Sequence, residues 1–153
     1  MEKPKRYVVL AIVIVASSLS YAVFIDAPTV YVIDCNLATE ENVSTYIIIE
    51  KAENIKGVYI NLSYDASVVN VEDIRSSEFS ITSYKYIDNE RGYVGFAAVN
   101  IEPLSGDIEF AEIHFKAVGE QGDSTPLNFN SVTINDGVSQ VRSCDLDGII
   151  TIL

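Results

Sequence analysis

Residues 58–65 read Val-Tyr-Ile-Asn-Leu-Ser-Tyr-Asp, an unbroken alternation of apolar and polar side chains that runs straight into Ala-Ser-Val-Val-Asn-Val. That two-residue period belongs to an extended strand with one buried face. Val58, Ile60, Leu62 and Tyr64 therefore point to a core, and Tyr59, Asn61, Ser63 and Asp65 point to water. Apolar, β-branched stretches recur at 29–33, 43–49, 57–64, 68–74, 78–86, 93–100, 108–117, 126–134 and 148–153. Turn-forming clusters separate them, among them Asp88-Asn89-Glu90-Arg91-Gly92 and Gly119-Glu120-Gln121-Gly122-Asp123. Outside the leader no stretch keeps an apolar 3.6-residue period long enough for a helix. The expected fold is all-β, a sandwich of nine strands.

The first 27 residues read as a targeting segment rather than as part of that fold. Lys3, Lys5 and Arg6 make a basic start, and an uncharged apolar run follows from Tyr7 to Ile25. Ser20-Tyr21-Ala22 offers small residues where a signal peptidase cuts, so cleavage after Ala22 is one expectation. A run of about 19 residues also just spans a bilayer, so an uncleaved anchor through residues 7–25 is the other. Either way the domain, residues 28–153, is exported: it is secreted or held at the outer face of the cytoplasmic membrane. Of the ten Lys and Arg only Lys3, Lys5 and Arg6 lie in the leader, and of the 22 Asp and Glu only Glu2 does. From Asp26 onward seven positive side chains face 21 negative ones, a net charge of −14. Such a surface repels phosphate backbones and excludes nucleic acid as a partner.

Catalytic chemistry is hard to assemble from these residues, and no catalytic group is assigned. His114 is the only histidine; in Glu112-Ile113-His114-Phe115-Lys116 it alternates with core residues and has no nucleophile motif beside it. Asp145-Leu146-Asp147-Gly148 opens like a calcium loop, but an apolar strand follows where an EF-hand needs further ligands. Asp147-Gly148 is then a turn, Asp145 and Asp147 remain at most a weak calcium site, and no metal or cofactor is expected. A glycosidase would need two carboxyls set across a cleft. Glu40-Glu41 and Glu72-Asp73 read instead as solvated loop charges.

Cys35 and Cys144 stand near the two ends of an exported domain, where disulfides persist. A single bridge between them would close a long loop, worth on the order of 4–5 kcal/mol; two buried free thiols are the alternative. Asn42-Val43-Ser44 and Asn61-Leu62-Ser63 are glycosylation sequons, and a glycan on Asn61 would cover the outward face of its strand. Tyr59, Tyr84, Tyr86 and Tyr93 offer large apolar bodies with polar tips, suited either to a protein partner or to stacking on sugar rings.

Residues 57–71, Gly-Val-Tyr-Ile-Asn-Leu-Ser-Tyr-Asp-Ala-Ser-Val-Val-Asn-Val, resemble the cohesin element in which a strand ends in Tyr-Asp, turns and continues with an aliphatic pair. Residues 106–117 are similar to that family's long strand with its acidic-aliphatic-x-Phe pattern, and Asp147-Gly148-Ile149-Ile150 to its closing strand. The resemblance spans residues 29–153 in order. It implies a jelly roll with first and last strands side by side, and a non-enzymatic module that recognises a dockerin-bearing protein. The partner face would comprise Tyr59, Asn61, Ser63, Tyr93, Ala97 and Val99. Many cohesins carry polar hot spots where this chain has Gly57, Tyr59, Val99 and Asn100. A carbohydrate-binding or cell-envelope module, with polysaccharide as partner, is the alternative on the same architecture.

Overall fold

The computed structural model describes residues 27–153, so the expected leader lies outside the described residues except for Ala27. The described residues contain ten strands and no helix: β1 (Thr29–Val32), β2 (Cys35–Leu37), β3 (Asn42–Ser63), β4 (Val69–Ser76), β5 (Ile81–Asp88), β6 (Tyr93–Ala117), β7 (Ser124–Asn135), β8 (Gln140–Val141), β9 (Cys144–Leu146) and β10 (Gly148–Ile152). Each of the nine expected segments falls on a strand, but the count differs. Segments 43–49 and 57–64 belong to the single strand β3, and 93–100 and 108–117 to β6, while β2, β8 and β9 are short additions.

The long strands form both layers because they bend together. β3 pairs antiparallel with β6 from Asn42↔Lys116 to Ser63↔Tyr93, with register shifts concentrated between Ile49 and Gly57. Lys51 and Asn54 take left-handed backbone angles there (φ 56° and 54°). Their N–H groups, turned out of the ladder, donate to Asp107 Oδ1 (3.1 Å) and Ser105 Oγ (2.9 Å). Bulges of this kind let a strand leave one sheet and enter the facing one. The first layer is β9-β1-β3-β6-β4, using residues 42–49 and 108–117 of the long strands. The second is β2-β10-β7-β3-β6-β5, using residues 57–63 and 93–99.

Between the layers Ile47, Ile49, Ile60, Leu62, Phe96, Phe110, Ile113 and Phe115 are essentially inaccessible to solvent. Phe110 packs edge-on against Phe79 (centroids 5.4 Å) and lies 5.7 Å from Phe96, which ties the β4–β5 connection to the core. At the open edge of the sandwich Lys85 of β5 turns inward to Asp73 of β4, whose other oxygen holds Arg75 Nε at 2.6 Å. A charge pointing inward from an edge strand also discourages another strand from pairing there.

The Tyr-Asp element is a structural corner. Tyr64 is buried, its ring edge-on to Phe115 at 5.9 Å, and its hydroxyl donates to Asn89 Oδ1 at 2.6 Å. Burial is the first cause that pushes the Tyr64 phenol up to about 12. Asn89 in turn exchanges hydrogen bonds with the Val71 N–H and carbonyl, so one side chain ties the β5–β6 turn to β4. Gly92, at φ 71°, is required by space as well as conformation, since a Cβ there would lie 2.0 Å from the Tyr64 carbonyl oxygen. Asp65 Oδ1 accepts from the Ser67 N–H and hydroxyl and closes the turn into β4.

The two ends of the domain do meet in parallel, but not as first strand against last: β1 pairs with β9 in one layer and β2 with β10 in the other. Thr29 faces Cys144 on β1 and β9, and Cys35 faces Ile150 on β2 and β10. That register corrects the expected bridge: Cys35 and Cys144 are free thiols. Cys144 pairs within the first layer and Cys35 within the second, each set against a residue other than its expected partner. Burial, then the neighbouring Asp34 carboxylate, pushes the Cys35 thiol up to about 11.

Candidate functional site

The outer side of the second layer gathers every residue expected to meet a partner. Alternation along β3 turns Tyr59, Asn61 and Ser63 outward between the buried Val58, Ile60 and Leu62. On β6, Tyr93, Ala97 and Val99 do the same between Val94, Phe96 and Ala98. Antiparallel register then sets them in rows: Val99 beside Gly57, Ala97 beside Tyr59, Gly95 beside Asn61 and Tyr93 beside Ser63. The flanking strands widen the surface. β5 adds Ile81, Tyr84, Tyr86 and Asp88 opposite Val99, Ala97, Gly95 and Tyr93, and β7 adds Asn135, Thr133 and Ser131 opposite Gly57, Tyr59 and Asn61.

These additions could not be placed by periodicity alone. Tyr84 and Tyr86 were visible as tyrosines two apart, but β5 is exposed along most of its length. Alternation there does not say which side joins the face. Ser131, Thr133 and Asn135 follow a bulge near Asn61–Leu62 that shifts the β7 register.

The face is almost without charge. Across residues 57–63, 81–88, 93–99 and 128–135 the only charged side chains are Lys85 and Asp88. Lys85 is turned away to Asp73, and Asp88 is engaged by its own turn, accepting from the Arg91 and Glu90 N–H groups and the Tyr86 hydroxyl (3.1 Å). Those bonds, led by Arg91, hold the Asp88 carboxyl below the usual carboxylate range. What remains is Tyr, Asn, Ser, Thr, Gly and small apolar residues. Asn130 joins the centre, donating to Asn61 Oδ1 (3.1 Å) while its own Oδ1 accepts from the Ser63 hydroxyl (3.3 Å). The Tyr59 and Tyr84 rings stand 6.1 Å apart at 52° to each other. A flat sugar ring stacks best on coplanar rings; a tilted pair instead makes a ridge against which side chains pack.

The other candidate residues lie elsewhere. His114 faces outward on the first layer, with Ser44 Oγ 3.2 Å from Nδ1 and Glu112 Oε2 3.4 Å from Nε2, which makes no hydrogen bond. The Ser44 hydroxyl first, and His114 after it, hold the Glu112 carboxyl below its ordinary range. Serine, histidine and glutamate thus meet, but on a flat sheet whose ladder occupies the surrounding backbone, so no donors converge on a developing oxyanion. Asp147 Oδ1 accepts from the Phe129 N–H (2.8 Å) and Asp145 from the Ser143 hydroxyl (2.6 Å). Among the described residues no three His, Cys, Asp or Glu side chains group to hold a metal. The sequon residue Asn42 is exposed at the start of β3 and donates to Glu72 (3.1 Å), whereas Asn61 sits at the centre of the nearly uncharged outer face of the second layer.

The sequence profile of the cohesin domain matches residues 29–152. No curated protein matches the sequence. Among solved structures, the chain superimposes on a non-cellulosomal cohesin from the hyperthermophilic archaeon Archaeoglobus fulgidus with a TM-score of 0.73 at 17% identity, covering 83% of this chain and 91% of that one. The third ScaC cohesin of Acetivibrio cellulolyticus, solved with the ScaB dockerin, gives a TM-score of 0.74 at 18% identity over 82% of this chain and 99% of that one. The OlpA cohesin from a Clostridium thermocellum cohesin–dockerin complex gives 0.74 at 10% identity, covering 83% and 99%.

Proposed function

Because the chain belongs to the cohesin domain family, we propose that it is a non-catalytic docking module that binds a dockerin-bearing protein through the outer face of β5, β6, β3 and β7. The observation that carries this reading is the composition of that face. In a chain of net charge −12, four adjacent strands present a surface free of charge except for Asp88. Tyrosines supply rigid contact area at low entropic cost, and Asn and Ser supply adaptable hydrogen bonding around small residues. Two of the solved cohesins named above were captured with dockerins, which supports the partner class. The tilt of Tyr59 against Tyr84 favours protein over polysaccharide. The module works outside the cell, and residues 7–25 serve as its export signal or its tether. A glycan on Asn61 would cover the face, and one on Asn42 would leave it open.

The test is capture by the full chain of recombinant dockerin modules from the source organism, with Tyr59→Asp as control. Binding by the native chain and not by the variant is the expected result. No dockerin binding, with retention on insoluble polysaccharide instead, would replace this reading with the carbohydrate-binding one.

A further inference from the structure

Two glycines interrupt the partner face inside β3 and β6, where glycine weakens a strand and packs nothing. Neither Gly57 nor Gly95 has a positive φ, so backbone conformation does not require them. Space does. A Cβ on Gly95 would lie 3.0 Å from Tyr84 Cε1 and 3.8 Å from the hydroxyls of Tyr84 and Tyr59. A Cβ on Gly57 would lie 2.7 Å from Asn135 Nδ2. Each glycine is thus covered by a side chain reaching in from the flanking strand, Tyr84 from β5 and Asn135 from β7.

The Gly95 cradle has the larger consequence. Tyr84 stands in register with Ala97, yet its ring leans diagonally over Gly95 toward Tyr59, and this lean sets the 6.1 Å pair. A lone methyl at position 95 asks the ring to give by a few tenths of an ångström, whereas the γ-methyls of a valine occupy the space the ring now fills and move it away from Tyr59. Phe96, the inward neighbour, would not feel the change, because it projects from the opposite side of β6.

We propose that Gly95 is a specificity-determining positioning residue of the docking face, acting through Tyr84: it lowers the tyrosine ring across β6 so that Tyr84 and Tyr59 form one aromatic ridge for the partner. This rests on the docking function proposed above. The ridge suits an aliphatic or small side chain of a dockerin surface rather than a planar ring.

Calorimetry with the full chain and recombinant dockerin modules from the source organism tests it, using Gly95→Val, Tyr84→Ala and the double variant, with Gly95→Ala as the milder change. The expected result is a loss of about 30-fold or more for each of the first two, as for a central interface anchor. The double variant should bind no worse than the weaker single one, because both remove the same ridge. Contacts between the Tyr59 and Tyr84 rings in NMR spectra should vanish in Gly95→Val while thermal unfolding stays within a few degrees of wild type. If Gly95→Val does not fold, Gly95→Ala carries the same comparison with a smaller loss. Native affinity in the folded glycine variant, or losses that multiply in the double variant, would overturn the proposal while leaving the docking function standing. A wild-type chain that binds no dockerin would overturn both.

Discussion

On the outer face built from residues 57–63 and 93–99, tyrosines, amides and hydroxyls surround small residues, and the nearest charges are turned aside. On the opposite outer face, built from residues 42–49 and 108–117 of the same two strands, β6 carries Glu109 and, past the adjacent buried residues Phe110 and Ala111, the alternating Glu112, His114 and Lys116, while Glu72, Asp73 and Arg75 follow on β4. There several polar groups pair with one another: Tyr46 donates to Glu112 (3.4 Å), Tyr31 to Glu50 (3.0 Å), Ser44 meets His114, and Asn42 reaches Glu72, while His114 Nε2 is left without a hydrogen bond. The comparison teaches that a two-layer sandwich keeps one side soluble with charge and leaves the other available. Charged groups cost more to desolvate in a contact than the hydroxyls of Tyr and Ser or the amide of Asn, whose hydrogen bonds a partner's polar groups can replace.

The largest effect should come from the core that the two layers share. Phe96→Ala empties the core beneath Gly95 and Ala97 and should lower unfolding free energy by about 3–5 kcal/mol, measured by denaturant titration. A change under 1 kcal/mol would mean the two layers do not share one core. Next comes a matched pair across the molecule. Tyr59→Ala should cost on the order of 30-fold or more in dockerin affinity, and Tyr46→Ala less than twofold, with equal affinity losses contradicting the assignment of the docking side.

Smaller still is the tie that joins the layers at their open edge. The Lys85 ammonium first, with Arg75 assisting against some burial, holds the Asp73 carboxyl down to about 2 from an ordinary value of 3.8. A carboxyl lowered on folding stabilises the native state above its unfolded value. That contribution should be complete above pH 4 and should fade as pH drops toward 2. With Asp73 partly exposed and solvent screening the pair, Asp73→Asn should cost no more than about 1 kcal/mol near neutral pH. It should also flatten the acid limb of a stability–pH curve; an unchanged limb would assign the acid sensitivity to other carboxylates. Smallest of all, His114→Ala on the soluble side should shift stability by less than about 0.5 kcal/mol and leave binding untouched.

Much of this was legible in the chain. The alternation in residues 58–64 assigned Val58, Ile60, Leu62 and Tyr64 to the core, and all four are buried. The six residues expected to meet a partner do share one face. Tyr-Asp identified the family element, though its chemistry is that of a corner: the tyrosine hydroxyl is spent on Asn89 and the aspartate on Ser67. Asn61-Leu62-Ser63 shows the opposite limit. Its i, i+2 spacing is that of a glycosylation triplet and equally that of two polar residues on one wet strand face.

Side-chain direction within each strand followed from the chain alone, because a period of two is a property of the extended backbone and needs no neighbour. The sequence also carried the all-β class and the acidic balance. Register, bends and neighbours were decided only in three dimensions, because they depend on which distant segments pair. The parallel pairing of the chain ends set Cys35 against Ile150 and Cys144 against Thr29, which kept the thiols apart. The left-handed turns at Lys51 and Asn54 carried β3 into both layers. Tyr84 came to lie over Gly95 only because β5 joined the edge beside β6, a contact between side chains on different strands that no periodicity along one strand encodes.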